Sequence, residues 1–95
     1  MSGPRVIVIT ARDNVATALD PLAAGQTIEA NGQRVTVRES IASGHKVAVA
    51  AIASGAAVVK YGNPIGTATT DIEVGSHVHI HNVASQRGRG DKTGV

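Results

Sequence analysis

The chain of 95 residues contains no cysteine, no phenylalanine and no tryptophan, and its one tyrosine is Tyr61. Without cysteine, disulfides and thiolate metal sites are excluded. Without large rings, a core must be filled by Val, Ile, Leu and Ala. Such β-branched residues favour strands, but each fills little volume, and a chain this short has a thin stability margin. The composition therefore implies packing against something more: a copy of itself in a homo-oligomer, a partner subunit or a larger domain. Long apolar runs are also missing. None approaches the roughly 20 residues of a membrane span, and the N-terminus lacks a signal-peptide pattern. A cytoplasmic protein with no membrane partner is the expectation.

Charge of one sign is scarce as well. The formal net charge is +2, and it comes from the C-terminal stretch alone. Residues 1–83 hold six Lys/Arg and six Asp/Glu, whereas Arg87, Arg89 and Lys92 face only Asp91. A neutral body without stacking aromatics argues against a nucleic-acid partner.

What the chain does have is histidine in a pattern. Three of its four histidines, His77, His79 and His81, alternate through residues 76–82, Ser-His-Val-His-Ile-His-Asn. Side chains alternate between the two faces of a strand. A strand here would send the three imidazoles one way and Val78 and Ile80 the other, into a core. Same-face neighbours on a strand lie about 6.6 Å apart. Two of them, such as His79 and His81, can close on one metal ion with bonds of about 2.1 Å. His77 to His81 spans about 13 Å, so one straight strand does not supply three ligands. A third would come from His45, Asp71, Glu73 or a partner chain. The plainer alternative is an exposed polar face with nothing bound.

Elsewhere the pattern is short strands and turns. Residues 6–9 read as a buried first strand. Asp13 before residues 14–19 reads as an N-cap and one short helix, stopped at Asp20-Pro21. Residues 27–30 and 33–38 flank Asn31-Gly32, the dipeptide of a tight type I′ hairpin, with Val35 and Val37 on one side. Residues 58–60 read as a strand, 61–64 as a turn, and 65–70 as a strand in which Gly66 marks a bulge or a close backbone approach. From Ala84 onward the chain is polar, glycine-rich and basic. We read 1–83 as one domain and 84–95 as a flexible tail or linker.

One motif recurs four times: aliphatic-x-x-Gly-x-x-aliphatic. Its copies run from Leu22 through Gly25 to Ile28, Ile41 through Gly44 to Val47, Ile52 through Gly55 to Val58, and Ile72 through Gly75 to Val78. In each, an aliphatic anchor plugs the core, glycine takes a turn conformation closed to other residues, and the chain re-enters as a strand. The glycines are 19, 11 and 20 residues apart. That uneven spacing points to one compact β-fold and away from a solenoid.

Four stretches together carry a family resemblance: GHKVA at 44–48, IASG at 52–55, VVKYGNPIG at 58–66 and HVHIHN at 77–82. With DNVATAL at 13–19 and RGRGD at 87–91, they resemble the small domain of the altronate/galactarate dehydratases. They are also similar to the small subunit of sulfolactate sulfo-lyase. The resemblance spans roughly residues 6–91 and implies a mainly β fold of the SAF type, a β-clip with long hairpins. It implies the small subunit or N-terminal domain of a hydro-lyase acting on sugar acids such as altronate or galactarate. The partner would be a large dehydratase-like catalytic subunit.

The resemblance favours His79 and His81 as metal ligands, with Asn82 facing substrate. The divalent metal would be iron(II), manganese or zinc. It also raises His45 and Lys46, an acid/base and a cation at a strand entrance, while Lys60, beside a tight turn, carries a charge that by itself suits a sugar-acid carboxylate. Tyr61 beside it either touches substrate or packs its ring on a core that has no other. The Arg-Gly-Asp within residues 87–91 is explained by a basic glycine-rich linker. Dehydration removes a proton next to the carboxylate and expels hydroxide. It needs a base, an acid or Lewis acid, and enolate stabilisation. The chain lacks the paired carboxylates or nucleophile arrangement for all of this, so it is expected to be inactive alone. The competing classes are a non-catalytic assembly module and a free metal-binding protein.

Overall fold

The computed structural model describes residues 5–85, and those residues form strands and turns with no helix. The strands are β1 (Val6–Ile7), β2 (Val15–Ala18), β3 (Thr27–Ala30), β4 (Gln33–Thr36), β5 (Lys46–Ala48), β6 (Ala57–Lys60), β7 (Asn63–Ala68), β8 (His77–Val78) and β9 (Val83–Ser85). All pairings are antiparallel. One sheet has the order β1-β2-β5-β8, a second is the hairpin β3-β4, and a third runs β6-β7-β9. The mainly β class with ribbon hairpins is the one expected.

Both hairpins turn in the same way. Asn31 and Gly32 have φ of 54° and 74°, and Tyr61 and Gly62 have φ of 55° and 80°. Two successive positive φ values are what a type I′ turn requires. The second turn is thus only two residues long, and β7 starts at Asn63, earlier than the sequence suggests. Its bulge lies where expected: the β6–β7 register shifts between Val58 and Val59. Gly66 is in close approach, since an added Cβ would collide with the Ala84 carbonyl oxygen.

The four glycine motifs are built alike. Their glycines all have positive φ, between 87° and 92°. Each glycine N–H donates to a carbonyl on another segment: Gly25 to Val37, Gly44 to Ala18, Gly55 to Ala68 and Gly75 to Ala48, at 2.7–2.8 Å. The acceptor residue donates back to the carbonyl following the glycine: Val37 to Gln26, Ala18 to His45, Ala68 to Ala56 and Ala48 to Ser76, at 2.8–2.9 Å. Each motif is therefore a clip that grips one residue by two hydrogen bonds. The anchors pair off as well, Leu22 with Ile41 and Ile52 with Ile72.

The uneven glycine spacing hides a duplication. Gly25 and Gly55 are 30 residues apart and Gly44 and Gly75 are 31 apart, as are the gripped residues Val37 and Ala68. The two hairpin tips, Asn31 and Tyr61, are 30 apart. A unit of strand, clip, hairpin and clip occurs twice, with β5 closing the first and opening the second.

Two cores follow. Ala16, Ala18, Leu22, Ile28, Val35, Val37, Ile41 and Val47 pack together in one. Val15, Ala48, Ile52, Val58, Ala68, Ile72 and Val78 form the other. Strands β2 and β5 divide them, with successive side chains sent to opposite cores. This explains why residues 14–19 are a strand and not the expected helix. Val15, Ala16 and Ala18 are buried on two faces, which an isolated helix of such length does not offer. Asn14 seals the choice. Its side chain donates to the Ala57 carbonyl at 2.9 Å and accepts the Val59 N–H at 2.7 Å, extending the edge of β6.

Asp13 still caps, but it caps a loop. Its carboxylate accepts the N–H groups of Ile9 at 3.0 Å, Thr10 at 3.3 Å and Gly62 at 2.7 Å, and the Thr10 hydroxyl at 2.8 Å. Burial alone would raise its pKa. Those hydrogen bonds outweigh burial and hold it well below the ordinary carboxylate range. At the other end, β9 continues to Ser85 and pairs with β7, so the boundary drawn after Val83 falls inside a strand. The tail from 86 to 95, with its RGRGD stretch, lies outside the described residues.

Candidate functional site

The histidine segment is a strand only at His77–Val78. Val78 enters the core as expected, but the chain then turns. The Asn82 N–H donates to the His79 carbonyl at 3.1 Å, and Ile80 is 84% exposed. The alternation predicted across residues 76–82 therefore stops after Val78, and Ile80 does not face a core. The reason is Asn82, which is buried. Its Oδ1 accepts the His79 N–H and its Nδ2 donates to the His77 carbonyl, each at 2.9 Å. These bonds give the backbone a local alternative to continuing the ladder.

The turn brings together a different set of imidazoles from the pair His79 and His81. His45 stands one residue after Gly44, at the entrance to β5. Its Nδ1 lies 2.9 Å from Nε2 of His77. The His45 and His79 rings stack with centroids 4.0 Å apart and planes at 11°. One ring nitrogen from each of His45, His77 and His79 lies within 4.8 Å of the others. His81 is exposed; its ring stands 5.1 Å from that of His77, tilted by 36°, and it lies outside the group. The straight-strand arithmetic did not apply, because His77 is on β8, His79 is in the turn after it, and His45 arrives from the entrance to β5.

Burial pushes the His77 and His79 imidazoles below the ordinary histidine value, and the neighbouring histidines push the same way. For His77 the Glu39 carboxylate partly opposes this. Glu39 also accepts the His77 backbone N–H at 3.0 Å. The depressed values keep both rings neutral to lower pH, the state in which imidazole binds a metal. His79 Nδ1 is buried and has no hydrogen-bond partner.

Lys46 lies beside this group. With His79, Ile65, Ile80 and Val83 it lines a surface cavity of about 140 Å³. Burial lowers its pKa, and the charge of Lys60 lowers it further. The Lys60 ammonium sits 4.9 Å above the Tyr61 ring. The Tyr61 hydroxyl reaches Thr17 Oγ1 at 3.3 Å, and Thr17 pairs with Lys46 across β2 and β5. Tyr61 is thus a half-exposed arm over the sheet face, not a plug in a core. The sequence reading placed His77 behind His79 and His81, and did not name Glu39 or Thr17. Two of the suggested third ligands are engaged elsewhere: Asp71 accepts the Ser54 N–H at 2.9 Å, and Glu73 pairs with Arg38 at 3.0 Å.

Comparison with known proteins gives this geometry a setting. The family model for the altronate/galactarate dehydratase SAF domain matches residues 4–86. The chain is 54% identical over 76 residues to altronate dehydratase of Escherichia coli strain K12, covering 80% of this chain and 15% of that protein. Against altronate dehydratase of Bacillus subtilis strain 168 the identity is 42% over 76 residues, with the same coverage. Subunit alpha of (2R)-sulfolactate sulfo-lyase from Paracoccus pantotrophus is 46% identical over 54 residues, which is 57% of this chain and 81% of that subunit. The chain thus spans 15% of the length of the two altronate dehydratases.

Proposed function

The chain belongs to the altronate/galactarate dehydratase SAF-domain family, and from that premise we propose that it is the small domain or subunit of a hydro-lyase acting on sugar acids. On this reading it supplies one wall of an active site completed by a large dehydratase-like chain, in the cytoplasm. The observation that carries the reading is the placement of Lys46 beside His79, with the charge of Lys60 close enough to act on Lys46. Lys60 already weakens the hold of Lys46 on its proton. A substrate carboxylate entering between them would relieve that repulsion and be held by two cations. The imidazoles then stand near the leaving hydroxyl, where a proton donor or Lewis acid is needed. Tyr61, through its contact with Thr17, borders the same face. Asn82 serves by positioning His77 and His79, since both its polar atoms are engaged with their backbone.

The test is reconstitution. The full chain and a large dehydratase-like partner, purified separately, are assayed alone and mixed on altronate and galactarate. Turnover that requires both chains is expected, with Lys46→Met raising KM for the acid more than it lowers kcat. A large chain fully active without this one sinks the proposal. If His45→Ala and His79→Ala leave turnover of an assembled complex intact, the chain is an assembly module instead.

A second substrate reading has its own support. The sulfo-lyase relative is a subunit, 81% of which this chain matches. Sulfolactate also carries its carboxylate on the carbon that gives up a proton, with the leaving sulfite on the carbon after it. The same assay run on sulfolactate separates the two.

A further inference from the structure

We propose that His45, His77 and His79 bind a single zinc-class ion, a late first-row divalent metal held by three imidazoles, with a remaining coordination position for an oxygen ligand. The proposal is independent of which lyase reaction, if any, the chain serves.

Four observations meet at this site. The first is distance. Two nitrogens bound to one ion at about 2.0–2.1 Å with a tetrahedral angle lie about 3.3 Å apart. His45 Nδ1 and His77 Nε2 are 2.9 Å apart, and the His79 nitrogen completes a group within 4.8 Å. A small ring rotation closes that difference. The second is the unpartnered His79 Nδ1. A buried polar atom left without a partner is costly, and a bound ion would supply that partner.

The third observation is the support around the rings. The His77 N–H is fixed by Glu39, the His77 carbonyl and His79 N–H by Asn82, and His45 by the clip that grips Ala18. These contacts hold the backbone of each histidine in place and so narrow where its ring can stand. The fourth is the donor set. It holds three nitrogens and no carboxylate. Imidazole donors suit zinc over manganese or magnesium, which prefer oxygen. Three protein ligands and an open position is the arrangement of zinc sites that do chemistry, whereas structural zinc sites are closed by four.

The experiment uses the full chain stripped with a chelator. Zinc is titrated by competition against a chromophoric chelator, cobalt(II) serves as an optical probe, and manganese is the comparison metal. We expect one zinc per chain at micromolar affinity or tighter, visible cobalt bands of a four-coordinate ion, and manganese bound far more weakly. His45→Gln, His77→Gln and His79→Gln should each weaken zinc at least about tenfold, and His81→Gln should leave it unchanged. Circular dichroism and urea unfolding verify that each variant folds. Zinc-induced shifts of the histidine ring resonances give a second readout, and should move His45, His77 and His79 in the unaltered chain. Absence of zinc binding at micromolar concentration overturns the proposal, and so does a loss in His81→Gln equal to that in His45→Gln. Neither result bears on the lyase reading, which is decided by turnover.

Discussion

Asn82 ties the turn that follows β8 to the strand itself. Its Oδ1 accepts the backbone N–H of His79 at 2.9 Å while its Nδ2 donates to the carbonyl of His77 at 2.9 Å. Asn82→Ala leaves both groups without that partner. The expected cost is about 1–3 kcal/mol in urea unfolding. In the same variant the ring resonances of His77 and His79 should broaden or move.

The four clips provide an internal series. At Gly25, Gly44 and Gly55 an added Cβ meets nothing within 4 Å, so alanine there pays only for positive φ. Each such variant should lose about 1–2 kcal/mol. Gly75 has the same φ, but a Cβ there would collide with the Thr36 carbonyl oxygen. Gly75→Ala should lose about 3 kcal/mol or more. Equal losses at all four positions in denaturant unfolding would show that the Thr36 approach is not as tight as described.

Asp13→Asn tests the loop cap through pH. The hydrogen bonds that depress the Asp13 pKa stabilise the charged form. A carboxyl whose folded pKa is lowered contributes stability that is fully present above its unfolded value, about 3.9, and is lost as pH falls toward the folded value. Wild type should therefore exceed Asp13→Asn by about 2 kcal/mol at pH 7. Unfolding curves at pH 7, 4 and 2.5 should show that margin narrowing only below about pH 4.

Val78 and Ile80 differ in a way that alternation along a strand does not predict. Val78 is fully buried and Ile80 is 84% exposed. Val78→Ala should cost about 1–3 kcal/mol, from lost burial and the cavity left behind. Ile80→Ser should stay within about 0.5 kcal/mol of wild type. A large loss in Ile80→Ser, measured by thermal or urea unfolding, would place Ile80 in a core and restore the longer strand.

The parts of the fold legible in the sequence are those set by local chemistry. Asn31-Gly32 announced its turn because few residues accept two positive φ values. The motif glycines announced theirs for the same reason, and the aliphatic anchors on either side are buried as expected. Residues 14–19 misled because their composition tolerates a helix, while the deciding facts are non-local: a core on each side of β2, and the edge of β6 waiting for Asn14. The histidines were visible as a group, but which of them meet was not. Alternation assumed a strand past Val78. Asn82 carries the signal for the turn, since asparagine three residues after a position can accept its backbone N–H. That His45 arrives from 32 residues earlier had no local sign beyond its place after Gly44.

Two of the clips reach backward along the chain, Gly44 to Ala18 and Gly75 to Ala48, over 26 and 27 residues. Closing loops of that length precedes any reward from the contacts they bring, and β topologies dominated by such pairings fold on the order of milliseconds to seconds. His45 follows one backward clip and His77 the other, so neither imidazole has its neighbour until both loops are shut. The cluster is then a late product of folding, and unfolding must break it early or pull against it. Whatever occupies the three rings should act as a latch on the folded state, slowing the opening of the chain more than it speeds the closing.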